Sequence, residues 1–336
     1  MKNVALMLII SAAIFSCTSE KNGDAKMVTE NQEPAMQHCV GRTFVELPSS
    51  FAASLVTTGI FKVQAPGVLE EPIDVLVRDS KKAPNFALET QKRKAELEDS
   101  SSSTVDILRE VKVLENNATL FRVQRIDDAY VSEIFFLRGT SIVTARVHSF
   151  RKQFLAAEER LIRLASGIHV LDSDRNSASA DGFCLGSVKI EGDFNLEKAR
   201  FVFRNGRGAQ FEVDIDTYAP DDRVPLLARM SGPDSLLKVF DVSHTVHRAG
   251  ERTAAGMRAQ EWLGSVPTIE DTDTKAFQFT LETMRPSPSK ATPGLNLTFE
   301  TAQPLEDGSK TKTSISKDEA IRLWDSVVAS LRPAKS

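Results

Sequence analysis

The sequence predicts an α+β protein built as two tandem related domains, each a mainly antiparallel sheet with helices packed on one face. Three observations predict it. A Cys-x-Gly segment occurs twice, once near the start and once past the middle of the chain. Each copy is followed by more than a hundred residues of mostly strand-like alternation. Each of those stretches then closes with one amphipathic helix.

The first copy reads His38-Cys39-Val40-Gly41-Arg42-Thr43-Phe44-Val45-Glu46-Leu47, and the second Phe183-Cys184-Leu185-Gly186-Ser187-Val188-Lys189-Ile190-Glu191. Both open an alternating run. In the first half, Asn85 to Glu98 reads as an extra helix running into Ser100–Ser103, and Val131 to Phe150 as two strands turning near Arg138-Gly139-Thr140. The first closing helix is expected over Arg151–Ala165, where Phe154, Leu155, Leu161, Ile162 and Leu164 recur at helical spacing and Gly167 supplies a stop. In the second half, Phe211, Val213 and Ile215 alternate with polar residues, as do Phe277, Phe279 and Leu281, and Leu295, Leu297 and Phe299. One apolar and one wet face is the mark of an antiparallel sheet covered on one side. The second closing helix is expected over Lys317–Leu331. Ser316 and Glu319 offer a capping box, and Pro333 prevents continuation.

The first forty residues carry a different signal. Met1-Lys2-Asn3 is a short basic head, and the apolar run Val4–Phe15 is too short to span a ~30 Å hydrocarbon core. This is the pattern of an export signal. Ile14-Phe15-Ser16-Cys17 resembles a bacterial lipobox, although Phe15 is bulkier than usual. The expectation is cleavage before Cys17 and lipid on Cys17; the alternative is an ordinary secretory signal with a chance cysteine. Thr18–Gln37 is polar and cannot offset its own ordering entropy, so it reads as a tether. No Asp follows Cys17, which favours the outer membrane, facing the periplasm. The expected organisation is therefore a signal peptide at 1–16, a lipidated tether at 17–37, an N-terminal domain at 38–172, a polar linker at 173–181 and a C-terminal domain at 182–336.

The 336 residues carry a formal net charge of -4. Loss of Lys2 makes the mature chain more negative by one, and no basic patch stands out, so nucleic acid is not an expected partner. Of three cysteines, Cys39 and Cys184 remain once Cys17 is assigned to lipid. The periplasm permits a disulfide between them, and two separate buried thiols are the other reading.

A search for chemistry finds no G-x-S-x-G elbow, no P-loop, no H-E-x-x-H and no C-x-x-C. Gly206-Arg207-Gly208 reads as a turn between strands. His244 and His247 lie on one expected strand, where residues three apart point to opposite faces and cannot share a metal. No catalytic residue, metal, cofactor or small-molecule substrate is expected. The densest acidic stripe, Glu212, Asp214, Asp216, Asp221 and Asp222, reads either as a solvated sheet face or as a face that attracts a basic partner.

Several segments together resemble a family. Cys39-Val40-Gly41-Arg42-x-Phe44-Val45-x-Leu47-Pro48 is similar to the opening of immunity proteins that guard against type VI secretion lipase effectors. Gly182–Gly186 and Gly256-Met257-Arg258-Ala259-Gln260-Glu261-Trp262 resemble parts of their C-terminal domain, as does the closing Leu323–Pro333. The resemblance implies a non-catalytic periplasmic protein that binds and neutralises a phospholipase effector encoded nearby. Arg258 and Glu261 are expected as a buried structural pair beside Trp262, with Trp324 in the core. An envelope lipoprotein with a scaffold or maintenance role is the alternative, and a periplasmic hydrolase with an unrecognised site is a third reading.

Overall fold

The computed structural model describes residues 33–63, 71–103, 106–171, 182–218, 224–231, 244–267, 275–284, 287–303 and 315–334. The export signal, Cys17, the tether up to residue 32, the linker at 173–181, Asp221 and Asp222 lie outside the described residues.

The first half runs β1 (Ala35–Val40), β2 (Thr43–Pro48), β3 (Ala52–Ala53), β4 (Val56–Val63), β5 (Ile73–Arg78), α1 (Phe86–Ser103), β6 (Ile107–Leu114), β7 (Ala118–Ile126), β8 (Ala129–Arg138), β9 (Ser141–Phe150), α2 (Phe154–Ser166) and β10 (Ile168–Val170). The second runs β11 (Gly182–Leu185), β12 (Val188–Glu191), β13 (Phe194–Arg204), β14 (Gln210–Asp216), α3 (Leu226–Ser231), β15 (Thr245–Ala254), β16 (Met257–Pro267), β17 (Lys275–Thr283), β18 (Gly294–Glu300), α4 (Lys317–Ser330) and β19 (Arg332–Pro333). Apart from the short β3, the two lists match element for element.

Local chemistry explains the repeated parts. In both opening hairpins a two-residue loop, Gly41-Arg42 or Gly186-Ser187, joins the paired strands, and both glycines have φ of +60°. Glycine with positive φ at the first loop position is the type II′ arrangement that matches strand twist. The Ser316 hydroxyl accepts a hydrogen bond from the Glu319 amide and so caps α4. Gly167 follows α2 at φ −87°. There the reason for glycine is space, because a Cβ would stand 2.7 Å from the Glu191 carbonyl oxygen.

The sheets of the two halves do not stay separate. One sheet runs β15-β16-β17-β18-β14-β13-β4-β5-β9-β8-β7-β6, with β3 beside β13. The halves meet at β4 and β13, which occupy equivalent places and pair antiparallel. Equivalent strands paired antiparallel are related by an approximate twofold axis through the junction. The pairing also removes two strand edges that would otherwise invite association.

Two three-stranded sheets cover the junction, β1-β2-β19 and β10-β12-β11. Each contains the hairpin of one half and the last strand of the other. β10 follows the first closing helix yet pairs with β12, and β19 follows the second yet pairs with β2. This reciprocal exchange interlocks the halves. Val40, Val45, Leu47, Phe183, Leu185, Val188 and Ile190 from these hairpins join the same core as Val75, Val77, Phe211, Val213, Ile215, Leu161 and Trp324.

Both closing helices lie on this inner face. α2 packs on β8 and β9, and α4 on β2 and β17. Helices also lie on the opposite face, which extends the one-sided arrangement read from the sequence. Alternation along β8 turns Ile134 and Phe136 inward and Glu133 and Phe135 outward. Phe135, Phe121 and Ile142 make a small outer core that α1 covers through Phe86 and Leu97. At the far end of the sheet, α3 packs on β16.

Cys39 and Cys184 form a disulfide with their Cα atoms 5.8 Å apart, beside a reciprocal backbone pair between Gly41 and Cys184. Their separation in sequence is 145 residues. A cross-link of that span restricts the unfolded chain by ~5 kcal/mol in the chain-entropy account.

Ion pairs tie the closing helices to the outer strands. On α2, Glu158 takes a bidentate bond from Arg122 at 2.6 and 2.7 Å. On the opposite face Glu133 holds Arg93 of α1 and Arg146. In the second half Glu261 contacts Arg248 and Arg252, each at 2.7 Å, and accepts the Trp324 indole N–H at 3.0 Å. This corrects the expected Arg258–Glu261 pair. The two residues differ by an odd number of positions along β16 and therefore point to opposite faces; Arg258 is largely exposed and pairs with Glu251. Trp324 is fully buried. Removing Glu261 would leave the buried Trp324 indole N–H without its acceptor and leave Asp325 as the carboxylate shared by Arg248 and Arg252, a loss of about 1–3 kcal/mol for an unsatisfied buried donor.

Asp325 on α4 completes this network with Arg248 and Arg252. The hydrogen bond from Arg248 holds its carboxyl below the usual aspartate range, against the opposing effect of burial. A depressed folded-state pKa contributes stability above the unfolded value, and that contribution disappears as pH falls through the folded one. We therefore expect the urea midpoint of the wild type to fall more steeply on acidification below the ordinary carboxylate range than that of Asp325→Asn. Parallel midpoint–pH curves would show that the Asp325 charge is not linked to stability.

Candidate functional site

Among the described residues, a concavity lies where the halves meet. It has a volume of about 660 Å³, within the range of ligand clefts. Phe201, Val202 and Phe203 of β13 line it with Ser54 and Thr57, and His38 and Cys39 of β1 form one side. His169 and Val170 of β10 and Ser187, Lys189 and Glu191 of the second hairpin form another. Asp79, just after β5, also lines it.

The charges of this groove are unevenly matched. Lys189 and Glu191 pair at 2.7 Å, and His169 stands 3.7 Å from Glu191. The bond from Lys189 is the main reason the Glu191 carboxyl sits below its usual range. Asp79 is half-buried, and its Oδ1 accepts the hydroxyls of Ser141 at 2.7 Å and Ser187 at 2.5 Å. No cation pairs with Asp79 among the described residues. Two neutral donors and one carboxylate leave a negative charge on a partly enclosed wall.

The approximate twofold shows why this side is open. Its counterpart on the other side of the junction is filled. The Asp79 amide bonds the Leu55 carbonyl, as the Thr217 amide bonds that of Glu197. His38 contacts the Phe203 ring at 4.8 Å, as Phe183 contacts Phe61 at 5.2 Å. Phe194 packs on Phe61 at 5.1 Å, whereas Ala52 and Ala53 of β3 pair with β13 beside Phe203. At the hairpin turn, Arg42 corresponds to Ser187. Arg42 bonds Glu197 through two contacts at 2.7 and 2.8 Å, and the Glu197 side chain is fully buried. One side thus holds a phenylalanine and an arginine where the other has alanine and serine.

The predicted acidic stripe is only partly described. Glu212, Asp214 and Asp216 stand on β14, on the face away from the closing helices. Arg200 lies 3.2 Å from Glu212 and 2.9 Å from Asp214, and Lys198 is 3.5 Å from Asp216. Each of the three carboxylates therefore has a cation nearby. Burial and the neighbouring Asp214 raise the Glu212 carboxyl above its usual range. His247 contacts Ser265 and Phe277, while His244 faces Trp262 from the other side of the sheet.

Asp79 and Ser187 were not singled out by sequence reasoning. Their one available signal was the repeat: aligning the Cys-x-Gly turns sets Ser187 against Arg42 and His38 against Phe183. Nothing in the repeat points to Asp79, which enters the groove from the end of a different strand.

Comparison with known proteins follows the same division. Residues 178–335 match the family model described as Tle cognate immunity protein 4 C-terminal domain. No curated protein matches by sequence. Among solved structures, the apo immunity protein TplEi of the type VI secretion system from Pseudomonas aeruginosa superposes with a TM-score of 0.67 at 16% identity, covering 91% of this chain and 99% of that one. TplEi complexed with an "L" peptide gives 0.63 at 19% identity, covering 90% and 99%. A chain of the Tle4–Tli4 complex gives 0.65 at 18% identity, covering 90% and 98%. At these identities the likeness establishes a shared fold over nearly the whole length. Residues 178–335 are thus similar to the Tle cognate immunity protein 4 C-terminal domain, and the chain as a whole shares a fold with the immunity protein TplEi and with a chain of the Tle4–Tli4 complex.

Proposed function

We propose that this protein is a non-enzymatic inhibitor that binds and neutralises a type VI secretion phospholipase effector in the periplasm. The observation that carries this reading is the family match over 178–335 on a fold shared along nearly the whole chain. Tli4 has been crystallised with Tle4, and TplEi with a peptide. The interlocked sheet supplies what such an inhibitor needs, a rigid body whose surface loses little entropy on docking. The stripe of Glu212, Asp214 and Asp216 would speed encounter with a basic partner surface.

We further propose that residues 1–16 are removed on export and that Cys17 carries lipid, with 17–34 as tether, since 35–37 form the start of β1 rather than the tether's end, 35–172 and 182–336 as the two immunity domains and 173–181 between them. An anchored inhibitor gains effective concentration at the membrane that the lipase attacks, with no added contact. The outer membrane, facing the periplasm, is the favoured site.

Co-expression with the phospholipase encoded beside its gene tests the inhibitory role. The expected result is rescue of growth and co-elution of the two proteins on gel filtration. Unchanged toxicity without a complex would refute it. For the anchor, Cys17→Ser should move the processed protein from the membrane fraction to the periplasmic extract without unfolding it. A variant that remained membrane-bound after export and cleavage would contradict lipidation there.

A further inference from the structure

We propose that the junction groove is a receptor for one basic side chain, an arginine, presented by the partner protein, with Asp79 as its counter-ion. The partner's identity rests on the function proposed above; the chemistry of the groove does not.

The argument starts from the broken symmetry. Where the groove's counterpart lies, Arg42 reaches from its hairpin turn and neutralises Glu197 with a bidentate bond. At the groove the corresponding turn residue is Ser187, too short and uncharged. The carboxylate is nevertheless present, now contributed by Asp79. Its Oδ1 is held by Ser141 and Ser187, which fixes its direction without cancelling its charge. A half-buried carboxylate with a fixed direction and no cation beside it attracts one that can reach it.

The rest of the lining suits a guanidinium better than an ammonium. The half-buried His38 ring, packed on the buried Phe203 at 4.8 Å, offers an aromatic face on which a planar, weakly hydrated cation stacks. The aliphatic stem of arginine would lie against Val170 and Val202, and Val170 is half-exposed at present. Lys189, the cation on the same wall, is already paired with Glu191. The charges of Asp79, Glu191 and Lys189 leave the groove one negative charge in excess, complementary to one arginine.

Three proteins test this: the wild type, Asp79→Asn and Ser187→Arg. The Asp79→Asn change keeps an oxygen for the two serine hydroxyls and removes only the charge. Ser187→Arg supplies the missing cation from within, as Arg42 does across the junction. The first probe is agmatine, which carries the guanidinium and stem of arginine, titrated by calorimetry or NMR into the full chain. We expect saturable binding to the wild type that is lost in both variants, with Ser187→Arg at least as stable to urea as the wild type. The second probe is the phospholipase encoded beside the gene, whose affinity should fall roughly ten- to a hundredfold in either variant, as for loss of a charged hydrogen bond. Agmatine that fails to bind, or binds all three proteins alike, overturns the inference. So does an effector complex equally tight in all three. A wild-type protein that binds agmatine through Asp79 but forms no complex with the phospholipase would leave the groove assignment standing and remove the proposed partner.

Discussion

The antiparallel pairing of β4 with β13 is the constraint on which the rest of this molecule depends. Each strand is the inner edge of its own half-sheet, and an uncovered edge exposes a row of unpaired backbone groups. Pairing the two edges satisfies those groups and fixes the halves about an approximate twofold. Once that geometry is set, the opening hairpins face each other across the junction. Cys39 and Cys184 come within bonding distance, and β10 and β19 each find a place in the other half's small sheet. Neither half then holds a complete small sheet by itself, so the interlock follows from the pairing and reinforces it.

Functional asymmetry enters through a handful of substitutions on this symmetric frame. Phe194 and Arg42 fill one side of the junction, while Ala52, Ala53 and Ser187 leave the other side open. The frame tolerates the opening because its covering residues are held elsewhere: the hairpins by the disulfide and the inner core, and the closing helices by Glu158, Glu261 and Asp325. Rigid surroundings matter for recognition, since a groove that must reorganise loses affinity to that cost.

Much of the architecture was readable from residue patterns. Period-two alternation located β14, β17 and β18, and helical spacing with the Ser316 cap located α4 to within a residue of its end. The repeated Cys-x-Gly turn revealed the duplication because a tight hairpin loop needs glycine at one position in each copy. Alternation within a strand says nothing about which strand lies beside it, so the β4–β13 junction and the exchange of β10 and β19 were not visible. The outward packing of α1 was hidden for a related reason: its partners Phe121, Phe135 and Ile142 are interleaved with inward-facing residues, and β8 reads as apolar on both faces. Spacing also misled at Arg258 and Glu261, where a motif adjacent in sequence splits across the sheet. Asp79 was out of reach because a lone aspartate after a strand carries no pattern; only the missing arginine opposite Ser187 gives it meaning.

If the junction holds the molecule as one body, its backbone must be among the last parts to open. Amide hydrogen exchange on the wild type reads this directly, strand by strand. The account predicts that amides bonded between β4 and β13, such as those pairing Ile60 with Lys198 and Phe61 with Glu197, exchange only through global unfolding. The outer strands β6 and β15 should exchange faster. Exchange at the β4–β13 junction as fast as at those outer edges, with each half protected separately, would contradict it.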